Sequence, residues 1–244
     1  MLGFRTFTFV AGVTFAAAAA PAAASQDPNK IAITPTSTNA AIILKAANLR
    51  PAPTFKTAYR IGLQIYDPEV QKMRGGPYGG SATIAAQPKL FVDGYLVIDL
   101  KPGTYAFRDL SQQDYWALCF HDESLQFTVK PGELLYLGEL DVPRHVAQLQ
   151  ILAIMTGKTS TRGEPVHFFD GVSPPAMTPA DEAGLAAAAA MAKARMPKTS
   201  VAPKAATLSK ARFGTGNDLF GLMRICGGYY QKAAKPPAGA KTAK

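Results

Sequence analysis

The densest group of chemically capable side chains in this 244-residue chain is Cys119-Phe120-His121-Asp122-Glu123, which sets a thiol, an imidazole and two carboxylates within five residues. Such a set offers both soft and hard metal ligands. A blue-copper centre, however, needs its Cys beside two His and a distant axial group in fixed array. The other histidines, His145 and His167, stand in unrelated contexts, and no Cys/His/Met spacing matches. Alternation along a strand also sends His121 and Asp122 to opposite faces. The simpler reading of His121-Asp122-Glu123 is the solvated end of a hairpin. A periplasmic metal-binding protein or enzyme using the Cys119/His121 region is the alternative, and no metal or cofactor is assigned.

Cys119 has a different use. In "YWALCFH", Trp116, Leu118 and Phe120 alternate with Tyr115, Ala117, Cys119 and His121. The bulkier apolar set is expected to face a core, which turns Cys119 to the other face. The one other cysteine, Cys226, sits in "LFGLMRICGGYY", the only strongly apolar stretch of an otherwise polar C-terminal region. An even cysteine count in an oxidising compartment favours a bridge. A Cys119–Cys226 disulfide would pin that segment to the outside of the sheet.

The remaining motif-like stretches fail on spacing. "MTGKTST" (155–161) has Gly157-Lys158-Thr159, but a phosphate loop needs a glycine at position 152, where Leu stands. "RGGPYGGS" (74–81) lacks the G-x-G-x-x-G spacing and a following helix, so it reads as a loop with one aromatic at its tip. No nucleophile elbow, zincin or Ser-x-x-Lys arrangement occurs in a usable context, and the carboxylates are scattered singly. No residue is nominated as catalytic, and the chain reads as a non-enzyme.

The elements that would position these residues are strands. From about 39 to 167 the pattern has period two: Tyr59, Ile61, Leu63 and Ile65 share one face, and Leu96, Ile98 and Leu100 another. Similar short runs occur at 41–47, 89–92, 104–108, 115–121, 126–130, 134–142 and 147–155, separated by Pro, Gly and Asp turns. That spacing is the mark of an antiparallel sandwich or barrel. Lys101-Pro102-Gly103-Thr104 and Lys130-Pro131-Gly132-Glu133 repeat one phrase. Pro sets φ for position i+1 and Gly takes the positive φ of position i+2, so each copy predicts a type II turn. A helix is expected only later, over about 179–195. Thr178 would be its N-cap, Pro179, Asp181 and Glu182 its first turn, and Lys193 and Arg195 its last.

The flanks carry the address. "MLGFRTFTFVAGVTFAAAAAPAAASQDP" has Arg5, an apolar run to Ala20, Pro21 and a small-residue site, the order of a secretory signal peptide cleaved between Ala24 and Ser25. The run is too short and alanine-rich to span a ~30 Å hydrocarbon core, so the mature chain is expected in the periplasm or otherwise exported, and is not an integral membrane protein. Residues 25–38 read as a linker, 39–172 as a β-sandwich domain and 173–200 as a linker and alanine-rich helix. Residues 201–230 read as a segment packing on the sandwich, and 231–244 as a disordered Lys/Ala/Pro tail. Charge is uneven. Residues 25–192 hold 14 Lys and Arg against 16 Asp and Glu, while 193–244 hold 11 against one. The basic end fits an anionic envelope component, such as acidic lipid or lipopolysaccharide, or an envelope protein, as partner. Export excludes nucleic acid.

"VIDLKPGTYAFRDL" and "LQFTVKPGELLYLGELDV" resemble exported bacterial proteins with a single carboxypeptidase-regulatory-like (prealbumin-like) β-sandwich, over roughly residues 40–155. There an apolar strand ends in Pro-Gly or Gly, a Tyr-bearing strand follows, and a later hairpin closes the sheet. The resemblance implies a mainly β, antiparallel Greek-key sandwich of about seven strands without catalytic residues of its own. The C-terminal helix and basic tail lie outside it. The expected role is a non-enzymatic binding or accessory module of the cell envelope.

A bridge closing a loop of about 108 residues would stabilise the fold by roughly 4–5 kcal/mol in the chain-entropy treatment. Intact mass after alkylation, with and without reductant, tests it: the native exported chain should take up label only after reduction. Two thiols labelled without reductant would rule the bridge out.

Overall fold

The computed structural model describes residues 23–24, 26–54, 58–74, 81–112, 116–120, 124–155, 159–161, 167–171, 175–212, 222–225 and 229–232. Eight principal strands run in chain order: β1 (Ala40–Ala47), β2 (Tyr59–Asp67), β3 (Ser81–Ala85), β4 (Tyr95–Leu100), β5 (Gly103–Gln112), β6 (Trp116–Phe120), β7 (Ser124–Val129) and β8 (Leu134–Asp141). Helix α1 (Val142–Met155) follows β8 directly, and α2 (Glu182–Arg195) comes later.

The strands form two facing sheets. The first has the order Met177–Thr178, β8, β1, β4, Phe91–Val92, with Lys204–Ala205 also on β8. The second runs Ala23–Ala24, β3, β2, β5, β6, His167–Gly171, Thr159–Thr161. The far edge of β5 is shared, because β7 pairs with its first residues and β6 with its last. Ser209–Ala211 extends the second sheet beyond β7. Leu222–Ile225 and Tyr229–Lys232 pair only with each other.

The fold is therefore a mainly β sandwich with a C-terminal helix, and its two sheets hold ten and six strands rather than about seven in all. Most of the surplus is two- and three-residue strands, too short to leave a periodic trace in sequence; the exception is the five-residue His167–Gly171. Pairing is mostly antiparallel, but β1 and β8 run parallel, because the first and last sandwich strands meet in one sheet.

Between the sheets, Ile42, Leu44, Leu96, Ile98, Leu135 and Leu137 pack against Ile61, Leu63, Tyr105, Phe107, Phe120 and Phe127. The opposite face of the first sheet is also covered. Ala41, Ile43, Val97, Leu134 and Tyr136 meet Ala188, Met191 and Ala192 of α2, with Met196, Ile31 and Ile33. A strand buried on both faces needs apolar residues at consecutive positions, which accounts for "AAIIL" at the start of β1.

Two expected boundaries change. The linker 25–38 contains buried Ile31 and Ile33, and it is stitched to the chain beyond α2: Thr199 Oγ1 donates to Ile31 O at 3.1 Å and Ser200 N to Ile33 O at 2.9 Å. Helix α2 is capped by Asp181, which accepts from Gly184 N at 2.7 Å. Thr178, the expected cap, is instead held in a strand opposite Glu139. Ser25 lies outside the described residues, while Ala23 and Ala24 pair in parallel with Ala82 and Thr83. The expected disordered tail begins inside a strand, since Tyr229–Lys232 includes its first two residues; positions 233–244 lie outside the described residues.

The run at 147–155, expected to be a strand, is the body of α1. Gln148 and Gln150 alternate with Ala147, Leu149 and Ile151 and imitate period two. Upstream, Asp141 accepts from Arg144 N at 3.1 Å, and Pro143 stands in the first turn, where its missing N–H costs nothing. Those two residues were the readable signal of a helix start.

Both Lys-Pro-Gly phrases are corners between the sheets rather than hairpins, since one carries β4 into β5 and the other β7 into β8. Only the second is a type II turn. Glu133 N donates to Lys130 O at 3.2 Å, and Gly132 has φ +69°. In the first, Gly103 lies at φ +157°, and Lys101 O accepts from the Tyr105 hydroxyl at 2.9 Å. That is a tyrosine corner, a side chain doing the work of the turn N–H. Burial pushes the Tyr105 phenol up, so it remains a donor.

The corners should respond differently to substitution. Gly132→Ala adds strain at positive φ and a Cβ that would meet Pro35 O at 2.8 Å and Thr34 O at 2.9 Å, for a loss of about 2 kcal/mol or more. Tyr105→Phe removes one hydrogen bond and should cost about 1 kcal/mol. Urea denaturation of the two variants checks both the size and the order.

Candidate functional site

The functional residues proposed from sequence do not gather into one described site. Cys119 lies in β6, in register with Asp109 on β5 and with Asp170 on the neighbouring parallel strand. Cys226, His121, Asp122 and Glu123 lie outside the described residues, as do Gly157 and Lys158 and positions 75–80 of the glycine-rich loop. Among the described residues no group of three His, Cys, Asp or Glu side chains could hold a metal ion. Pro131 and Gly132 do border a groove of about 520 Å3, with Lys130, Pro35, Val201 and Lys204. Lys204 is drawn to Glu133 at 3.6 Å there, and no buried polar atom in that groove is left without a partner among the described residues.

A second cavity, of about 340 Å3, opens where β8 passes into α1, and it is lined by Glu139, Asp141, Arg144, His145, Gln148, Ala176 and Thr178. Local backbone geometry creates it. Pairing between β1 and β8 slips between Tyr136 and Glu139, so Leu137 and Leu140, three residues apart, both face the inter-sheet core. Gly138, at φ +102°, occupies this bulge, where a Cβ would meet Thr178 O at 2.2 Å. Bulges re-aim the side chains that follow them. Here the register resumes with Glu139 opposite Lys45, and their side chains pair at 2.7 Å. Hydrogen bonding to Glu139 pushes the Lys45 ammonium up. Asn48, at φ +58°, donates its amide to Asp141 Oδ2 at 2.5 Å.

His145 is the unusual member. It is 4% exposed and stacks on Phe120, with ring centres 6.3 Å apart and planes inclined by 17°. Its Nε2 is buried with no hydrogen-bond partner among the described residues. Leaving such an atom unpaired costs about 1–3 kcal/mol, and in a native protein an orphan of this kind calls for a ligand, water or mechanism. Burial lowers the imidazole pKa to about 4. A ring that stays neutral to such acidity is poorly matched to general acid–base work near pH 7.

Sequence reading passed over His145 because its neighbourhood depends on α1, which was read as a strand, and on Phe120, 25 positions away. No family model, no curated protein and no solved structure matches this chain. Among the described residues, no helix is long and apolar enough to cross a membrane.

A histidine whose folded pKa is depressed binds fewer protons in the native than in the unfolded state. Its stabilising contribution is complete above the ordinary value near 6.5 and is lost as pH falls toward 4. The loss amounts to about 3 kcal/mol across that window. His145→Phe preserves the stack on Phe120 and should flatten most of this acid dependence, as read by urea denaturation at pH 7 and pH 4.5. An unchanged pH dependence would show that another group controls it.

Proposed function

We propose that this chain is an exported, non-enzymatic binding module of the cell envelope, with its ligand site in the cavity between the end of β8 and the start of α1. The observation that carries the reading is a polar cavity lined in part by His145, a buried neutral imidazole whose Nε2 has no partner among the described residues. Support for export comes from the leader-like first 24 residues. The resemblance to carboxypeptidase-regulatory-like sandwiches points the same way, toward a scaffold that presents a site without catalytic residues. The basic C-terminal fifth supplies attachment to an anionic envelope component or envelope protein.

Expression of the full chain followed by cell fractionation tests the compartment. The mature protein should be recovered from the envelope fraction beginning at Ser25, and an unprocessed cytoplasmic product would overturn export. Native mass spectrometry of the recovered protein tests the site. A bound small molecule should be present and should be lost in His145→Phe; adducts equally abundant in both proteins would place the ligand elsewhere.

A further inference from the structure

The groups lining the α1 cavity divide by what they already bind. Glu139 is neutralised by Lys45 at 2.7 Å. Asp141 uses one oxygen for Arg144 N and the other for the Asn48 amide. Both acids are thus committed to holding the fold. Arg144, Gln148 and Thr178 line the cavity with exposed side chains, and His145 Nε2 is buried with no hydrogen-bond partner among the described residues. This set is rich in donors: the guanidinium alone offers five N–H groups in a rigid fork and no acceptor. The first turn of the 14-residue α1 adds partial positive charge to the same wall.

Resting on the reading of this cavity as a ligand site, we propose that its ligand is a small carboxylate, held by the Arg144 guanidinium beside the buried His145 ring. A planar monoanion matches the Arg fork bidentately. A phosphate dianion would meet the nearby Glu139 and Asp141 carboxylates with twice the charge and none of the planar fit. The cavity volume of about 340 Å3 leaves room for a ligand of roughly ten non-hydrogen atoms, taking ~30 Å3 as the share of one water molecule.

The test follows the imidazole resonances of the 15N-histidine-labelled full chain, with the His145 signals assigned by their loss in His145→Phe. Benzoate, benzamide of the same shape and inorganic phosphate are titrated separately. Benzoate should shift the His145 signals saturably, with benzamide and phosphate far weaker. Arg144 is exposed, so Arg144→Gln should leave the fold intact while weakening benzoate by about tenfold or more, and Arg144→Lys should recover part of the loss. Benzamide or phosphate binding as well as benzoate would overturn the carboxylate assignment and leave the cavity a ligand site. Unweakened benzoate binding by Arg144→Gln would overturn the role of Arg144. If none of the three probes moves the His145 signals, the cavity reading falls with the inference.

Discussion

Strand β1 has almost no surface left for water, and the rest of the structure is arranged around that constraint. One face meets the second sheet and the other meets α2 with Ile31 and Ile33. Both edges are taken, by β4 and β8. A polar segment could not serve there, because an unpaired or solvent-seeking group at its centre would have no escape. The covering layer is accordingly part of the fold: segment 26–38 and the chain after α2 tie each other down over the sheet. Gly184 helps the helix approach, since a Cβ there would lie 3.2 Å from the Tyr136 ring.

Enclosing one sheet so fully forces the chain to cross between layers at tight corners. The same tripeptide serves twice and is completed in two ways. The second corner is closed by its own backbone and is crowded by the carbonyls of Thr34 and Pro35, so only glycine fits at 132. The first is completed by the Tyr105 hydroxyl, whose ring lies 6.0 Å from Phe127 in the core. In each case a local turn is bound to residues that become neighbours only through the fold.

The cavity belongs to the place where this enclosure ends. Beyond the bulge at Gly138, β8 leaves the doubly covered zone and presents Glu139 and Asp141 at its rim. The chain then turns into α1, capped by Asp141. That abrupt passage from strand to helix buries His145 against Phe120 while leaving Arg144 and Gln148 exposed. The buried His145 ring and the exposed Arg144 side chain thus share one wall, with Glu139 and Asp141 already paired.

The sequence by itself determined the β architecture, since alternation at Tyr59–Ile65 and Leu96–Leu100 and the glycine and proline corners are local properties that survive any choice of partner. The position of α2 was equally legible, because alanine content, first-turn acids and last-turn cations act within one helix. Local pattern misled at 147–155, where two glutamines imitated a strand and outweighed the capping signal at Asp141 and Pro143. Tertiary structure alone decided the parallel pairing of β1 with β8, the recruitment of 26–38 into the core and the meeting of Phe120, His145 and Thr178. Those contacts join positions far apart in the chain. Their energy comes from burial and register in the assembled sheets, which no short window of sequence contains.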